Sequence, residues 1–178
     1  MVAAALLVGS SGAAAAASSP KVTVATHSGV YEVRGSFTTT APIDTAWAVL
    51  TDYGGISAFV SSIQKSEVER LDHEDLRVRQ VATVGKPPFR YTARVALAVH
   101  EESPRHIAFA DVSGKDFTTY VGSWALQADT GSTVITYVLD AAPRSGPSGW
   151  IARSAMRHTV SDMLAEVRTE MERRAAKR

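Results

Sequence analysis

Three tyrosines in period-two runs, Tyr91, Tyr120 and Tyr137, carry hydroxyls that could do chemistry. Together with Asp140 they would polarise a carbonyl or move a proton if they faced a closed, water-free space. Gln80 is the sharpest single signal. It stands among Val78, Ala82 and Val84 on an apolar face, where an unpaired amide costs roughly 1–3 kcal/mol. A neighbouring tyrosine, the backbone, water or a ligand headgroup must satisfy it, and a one-residue slip in register would turn it outward. Val78, Val95, Phe109, Trp124, Met156, Val160 and Met163 complete an inward-facing set. Such residues either fill a core or line a pocket, and their apolar, aromatic make-up is that of ligand sites. Met156 and Met163 would suit a wall that adapts to flexible ligands. The spacing brings no two acid–base groups together, so no catalytic residue is assigned.

Other chemistries find no support. The histidines at 27, 73, 100, 106 and 158 have no metal-ligand spacing, and there is no cysteine, so neither a metal site nor a disulfide is expected. His73 falls in an acidic turn and His158 on the outer side of the last helix. Gly146-Pro147-Ser148-Gly149 lacks the G-x-S-x-G spacing of a nucleophile elbow, and Ser148 reads better as a helix N-cap. No phosphate-cradling loop or dinucleotide fingerprint occurs, and no cofactor is expected. Nineteen basic against eighteen acidic residues leave a net charge of +1, so no whole-chain field draws the protein to nucleic acid.

The elements that would position these residues follow from periodicity. Tyr31, Val33, Gly35 and Phe37 alternate with Glu32, Arg34 and Ser36, predicting a half-buried strand. Pro42 and Asp44 then open a short helix with Ala46, Trp47, Val49 and Leu50 as its buried stripe. Gly54-Gly55 ends it, and Ile56 to Val60 predicts another helical turn. Strand patterns recur over Ile63–Leu71, Leu76–Val84, Tyr91–His100, His106–Val112, Phe117–Ala128 and Thr133–Ala141, with connections short enough for antiparallel neighbours. From Trp150 to Met171 a helical stripe runs through Met156, Val160, Met163, Leu164 and Val167, and Glu170–Arg174 has the favourable i,i+4 orientation. The order predicts an α+β domain in which the long helix covers one face of about seven strands.

With 178 residues, 45% hydrophobic and 21% charged, the chain suits one domain able to bury a core. Residues 1–20 stand apart in composition. The apolar run Val2–Val8 and the small residues Ala13–Ala17 read as an export signal cut near Ala17, although the usual Lys or Arg at the start is missing. A disordered Ala-rich leader is the alternative, and residues 21–178 are the domain on either reading. The expectation is an exported protein, periplasmic or secreted. Two features would suit loading from a membrane: the stiff loop Gly85-Lys86-Pro87-Pro88-Phe89 and the basic tail Arg173 to Arg178.

Ala41-Pro42, Trp47 to Tyr53, Phe59, Gly122-Ser123-Trp124-Ala125-Leu126, Gly131 to Tyr137 and the final helix resemble the START-like (SRPBCC) superfamily. The likeness is to its polyketide cyclase/dehydrase or coenzyme Q-binding, COQ10-type branch. It spans about Tyr31 to Arg174. The resemblance implies a helix-grip fold: two short helices after the first strand, and a curved antiparallel sheet wrapped around the C-terminal helix. It also implies a deep apolar cavity between sheet and helix that holds a hydrophobic small molecule or lipid. On that basis Gln80, Tyr91, Val95, Phe109, Tyr120, Trp124, Tyr137, Met156, Val160 and Met163 are the expected ligand-binding residues. The expected function is non-catalytic binding of such a ligand, with a quinone-like molecule as one candidate. The alternatives are an aromatic polyketide cyclase or dehydratase, and a protein-interaction module of the toxin-like START branch.

Overall fold

The alternating run beginning at Tyr31 lies in a strand, Val30–Thr39 (β2), whose inward residues Tyr31, Val33 and Phe37 are buried. A strand precedes it. In the computed structural model, which describes residues 19–70, 76–85, 87, 90–146 and 149–177, Lys21–His27 forms β1 and pairs with β2 from Lys21↔Ser36 to His27↔Val30. Only Val24 of β1 is buried, which explains why its mixed composition gave no clear alternation. The sheet therefore has eight strands instead of about seven.

Helix α1, Ile43–Leu50, starts after Pro42, which occupies the N-cap position, and Asp44 lies in its first turn. Thr45, Ala46, Val49 and Leu50 are its buried residues, so the stripe is rotated toward Thr45 and leaves the expected Trp47 half-buried. The second short helix is a single 3-10 turn, Ile56–Ala58. Then follow β3 (Ile63–Arg70), β4 (Leu76–Val84), β5 (Tyr91–Glu102), β6 (His106–Asp111), β7 (Phe117–Asp129), β8 (Ser132–Pro143) and α2 (Gly149–Ala175). Residues 1–18, the turn containing His73, Lys86, Pro88, Phe89 and the N-cap candidate Ser148 lie outside the described residues.

All pairings are antiparallel, in the order β1-β2-β8-β7-β6-β5-β4-β3. The segment from α1 to β3 thus carries the chain across the sheet to its far edge. Helix α2 is seated on β1, β2 and α1 and only reaches toward β4. At β2 it approaches closely because Gly35 has no side chain: a Cβ there would stand 2.5 Å from Leu164 Cδ1. Leu164, Val167 and Met171, in the C-terminal half of α2, are fully buried. A helix held down along one side of a curved sheet leaves space under its other side.

Ionic contacts fix the end of α2. Arg174 donates to Glu170 Oε1 and to Asp52 Oδ2, each at 2.6 Å, so the predicted i,i+4 pair is extended to the end of α1. Arg173 grips both oxygens of Glu170, and the Arg174 guanidinium lies 5.5 Å from the Phe59 ring centroid. Hydrogen bonds from Arg173 are the largest cause, with Arg174 adding, that holds the Glu170 carboxyl down to about 2 from its ordinary 4.5. A depressed carboxyl contributes stability above its unfolded value and loses it on acidification. Stability should therefore fall between about pH 4.5 and pH 2. Glu170→Gln should flatten that part of the profile and lower stability at neutral pH, since Arg173 loses its carboxylate and Arg174 keeps only Asp52. Denaturant unfolding over a pH series checks both.

Candidate functional site

Beneath α2 lies a cavity of about 150 Å³. Its floor is β4 to β8, contributing Val78, Gln80, Tyr91, Phe109, Tyr120, Trp124, Tyr137 and Leu139. Its roof is Met156, Thr159, Val160, Met163 and Val167 of α2, and one end is closed by Tyr53, Ile56 and Phe59 from the crossing segment. The rings on the floor contact one another: Trp124 and Tyr137 at 4.5 Å between centroids, Phe109 and Tyr120 at 6.2 Å, Phe117 and Tyr120 at 4.8 Å. Gly122 lets the Phe109 ring lie across β7, because the ring occupies the place of the missing side chain.

No Asp, Glu, His, Lys or Arg borders this space among the described residues. Its polar groups are hydroxyls, the Gln80 amide and the Trp124 indole. The Tyr120 and Tyr137 phenols influence each other across the floor. Burial, with the neighbouring Tyr91, pushes the Tyr120 phenol up to about 12. Burial and Tyr31 do the same to Tyr91, and burial with Tyr120 carries Tyr137 well above its ordinary value. At physiological pH all three are neutral O–H groups, able to donate a hydrogen bond. General acid–base catalysis works best with a group titrating near the operating pH, which these phenols are far from. Tyr53 is held higher still by burial and by its hydrogen bond to Glu101, at 2.7 Å.

Nine of the ten expected residues border the cavity; Val95 is the exception. Strand parity puts Val95 on the inner face, half-buried against the core, but it does not reach this cavity and instead borders a separate, shallower hollow with Arg79, Arg94 and Ala96. Parity decides a face and leaves open which inward residue meets a void. Gln80 is satisfied from the adjacent strand, donating to Ser66 Oγ at 3.3 Å. Asp140 does not join the phenols: it points to the outer face, where Arg34 Nη1 donates to it at 2.8 Å. His158 is exposed, and among the described residues no three His, Asp or Glu side chains gather as metal ligands would. Tyr53, Ile56 and Thr159 were not foreseen. The first two belong to a connection whose place under the helix is set by its passage across the sheet.

A curved antiparallel sheet gripping a long helix over an uncharged, aromatic hollow defines a helix-grip ligand-cavity protein. Residues 31–176 match the family described as polyketide cyclase / dehydrase and lipid transport. The chain belongs to that family. No curated protein matches it. Among solved structures it is similar to a Thermus thermophilus protein, with 19% identity, 79% of this chain and 96% of that one covered, and a TM-score of 0.67. It is also similar to the STAR-related lipid transfer protein of Xanthomonas axonopodis, at 17% identity, 84% and 98% coverage and TM-score 0.64. A third is the Zhui aromatase/cyclase of Streptomyces sp. R1128, at 21% identity, 82% and 95% coverage and TM-score 0.64. Likeness at these identities shows the fold.

Proposed function

We propose that this chain binds a hydrophobic small molecule or lipid under α2 and carries or sequesters it without turning it over. The observation that carries the proposal is the uncharged wall: apolar and aromatic surface for affinity, and neutral phenols for orientation. Burial of apolar ligand surface supplies roughly 25 cal/mol per Å² before ordering costs. The ligand that fits this chemistry has a flat ring and an oxygen that accepts from Tyr91 or Tyr120, as a quinone-like molecule does. Drug-sized ligands occupy pockets of roughly 300–1,000 Å³. A ligand larger than a ring-sized group therefore has to displace Met156 and Met163, which are pliable enough to yield. The alanine-rich leader adds the proposal that the carrier works outside the cytoplasm, in the periplasm or at the cell surface.

Native mass spectrometry of protein expressed in its source organism tests this directly. The expected result is a co-purifying apolar ligand whose re-addition raises thermal stability and changes Trp124 emission through the Tyr137 contact. Protein that is always empty and takes up nothing from a lipid extract would refute it.

The neighbouring buried phenols Tyr120 and Tyr137 favour a second reading, an aromatic cyclase or dehydratase in which a phenol polarises a polyketide carbonyl. Tyr→Phe at positions 120 and 137 separates the two. For a carrier, Tyr120→Phe should weaken binding by roughly tenfold, one hydrogen bond's worth, and Tyr137→Phe by less, with no turnover to lose. For an enzyme, product formation should collapse while binding changes little. The interaction-module alternative is the least favoured, because its cavity would be occluded.

A further inference from the structure

The first turns of α2 combine two features that the cavity does not explain. Trp150 is 70% exposed, the most exposed large apolar side chain among the described residues. Beyond it Arg153 and Arg157 also face solvent. No carboxylate occurs between Ala141 and Ser161, whereas Asp162 to Arg174 mixes acids and bases. The connection from β4 to β5 meets the same end of the helix, since the Gly85 N–H donates to Thr159 Oγ1 at 3.1 Å. It brings exposed Arg90, and it too belongs to a stretch without carboxylates, residues 76–100. Asp116, on the strand side, is engaged by the Arg94 backbone N–H at 2.7 Å.

We propose that Trp150, Arg153, Arg157 and Arg90 form a docking face for an anionic lipid bilayer. Charge complementarity selects the partner: both segments that build the face are basic and lack carboxylates, and a membrane surface rich in anionic lipid attracts each nearby Arg or Lys. An exposed Trp among cations is the side chain that settles at the headgroup boundary, its indole in the apolar layer and its N–H toward water. Position gives the face a use. Met156 and Thr159, with Val84 and Tyr91 across from them, border the cavity, and Met156 follows Trp150 by six residues, about 9 Å along the helix. A docked molecule would hold this end of the cavity toward the bilayer. That use rests on the proposed carrier function; the docking itself does not. In the basic C-terminal tail, Arg173 and Arg174 are tied to Glu170 and Asp52, so the proposal is placed on this face.

The test is cosedimentation of the whole protein with phosphatidylcholine vesicles, with and without phosphatidylglycerol. Binding should require phosphatidylglycerol and weaken with salt. Trp150→Ala should reduce it about tenfold or more. Arg153→Gln with Arg157→Gln should reduce it about 25-fold, roughly fivefold for each cation. A vesicle-induced blue shift present in the wild type and absent in Trp150→Phe would place the indole in the lipid. Thermal melts and retention of any cavity ligand confirm that the variants stay folded. Wild-type protein that ignores anionic vesicles, variants that bind like wild type, or a Trp150-dependent dimer in sedimentation velocity would each overturn the proposal. Vesicle binding by protein whose cavity stays empty would uphold the docking face and refute the carrier.

Discussion

Gly122→Val should leave little soluble, folded protein, with a loss of more than about 3 kcal/mol, the scale of severe overpacking. Gly122 sits in the middle of the sheet, opposite Phe109 on one side and Leu139 on the other. A Cβ there would collide with the Val138 carbonyl oxygen and stand 2.5 Å from Phe109 Cζ and 2.7 Å from Cε2. Neither neighbour can yield cheaply. The carbonyl belongs to β8, and the ring is hemmed in by Tyr120 and Tyr137, with centroids 6.2 and 6.3 Å away. Even Gly122→Ala meets both obstacles. Gly35 makes the useful contrast, because its close neighbour, Leu164 Cδ1, is the end of a side chain that can rotate. Thermal unfolding of Gly122→Ala beside Gly35→Ala should therefore show the first far more damaged. Equal melting temperatures would mean that the Phe109 ring does not depend on the gap in β7.

That contrast shows what the chain discloses on its own. Alternation along β2, β5, β7 and β8 and the stripe on α2 are written in residue type, because burying one face of a sheet against one helix demands them. The same alternation already places Asp140 opposite Tyr137 and Leu139, so its outward position was legible. β1 was not, since a strand at the edge of the sheet with one buried residue has no pattern to display. The meeting of Tyr120 with Tyr137 depends on the pairing of β7 with β8, in which Tyr137 faces Trp124 and Tyr120 faces Ala141. Sequence spacing does not contain that register. The void is the least legible feature of all. It exists because α2 is anchored at β1, β2 and α1, and the same Met156, Val160 and Met163 would read identically if they packed onto the sheet.

Whether that void is the working part of the molecule is decided by filling it. Val160 lies on the roof of the cavity and is 7% exposed. Val160→Trp directs an indole into a space of about 150 Å³, leaving too little for a ring-sized ligand. Binding should weaken by at least about a hundredfold, some 2.8 kcal/mol, and ligand should vanish from the native mass spectrum. Stability should hold or rise by about 0.5–2 kcal/mol, as is usual when a side chain fills an existing hole without straining its neighbours. The paired outcome matters because a large-to-small change would damage folding and binding together. Here the two move apart, so lost binding cannot be blamed on a lost fold. Docking on anionic vesicles should survive, since Trp150, Arg153 and Arg157 lie on the exposed side of the helix. A well-folded Val160→Trp protein that takes up the same ligand with wild-type affinity would put the binding site elsewhere, and the cavity would be a packing imperfection.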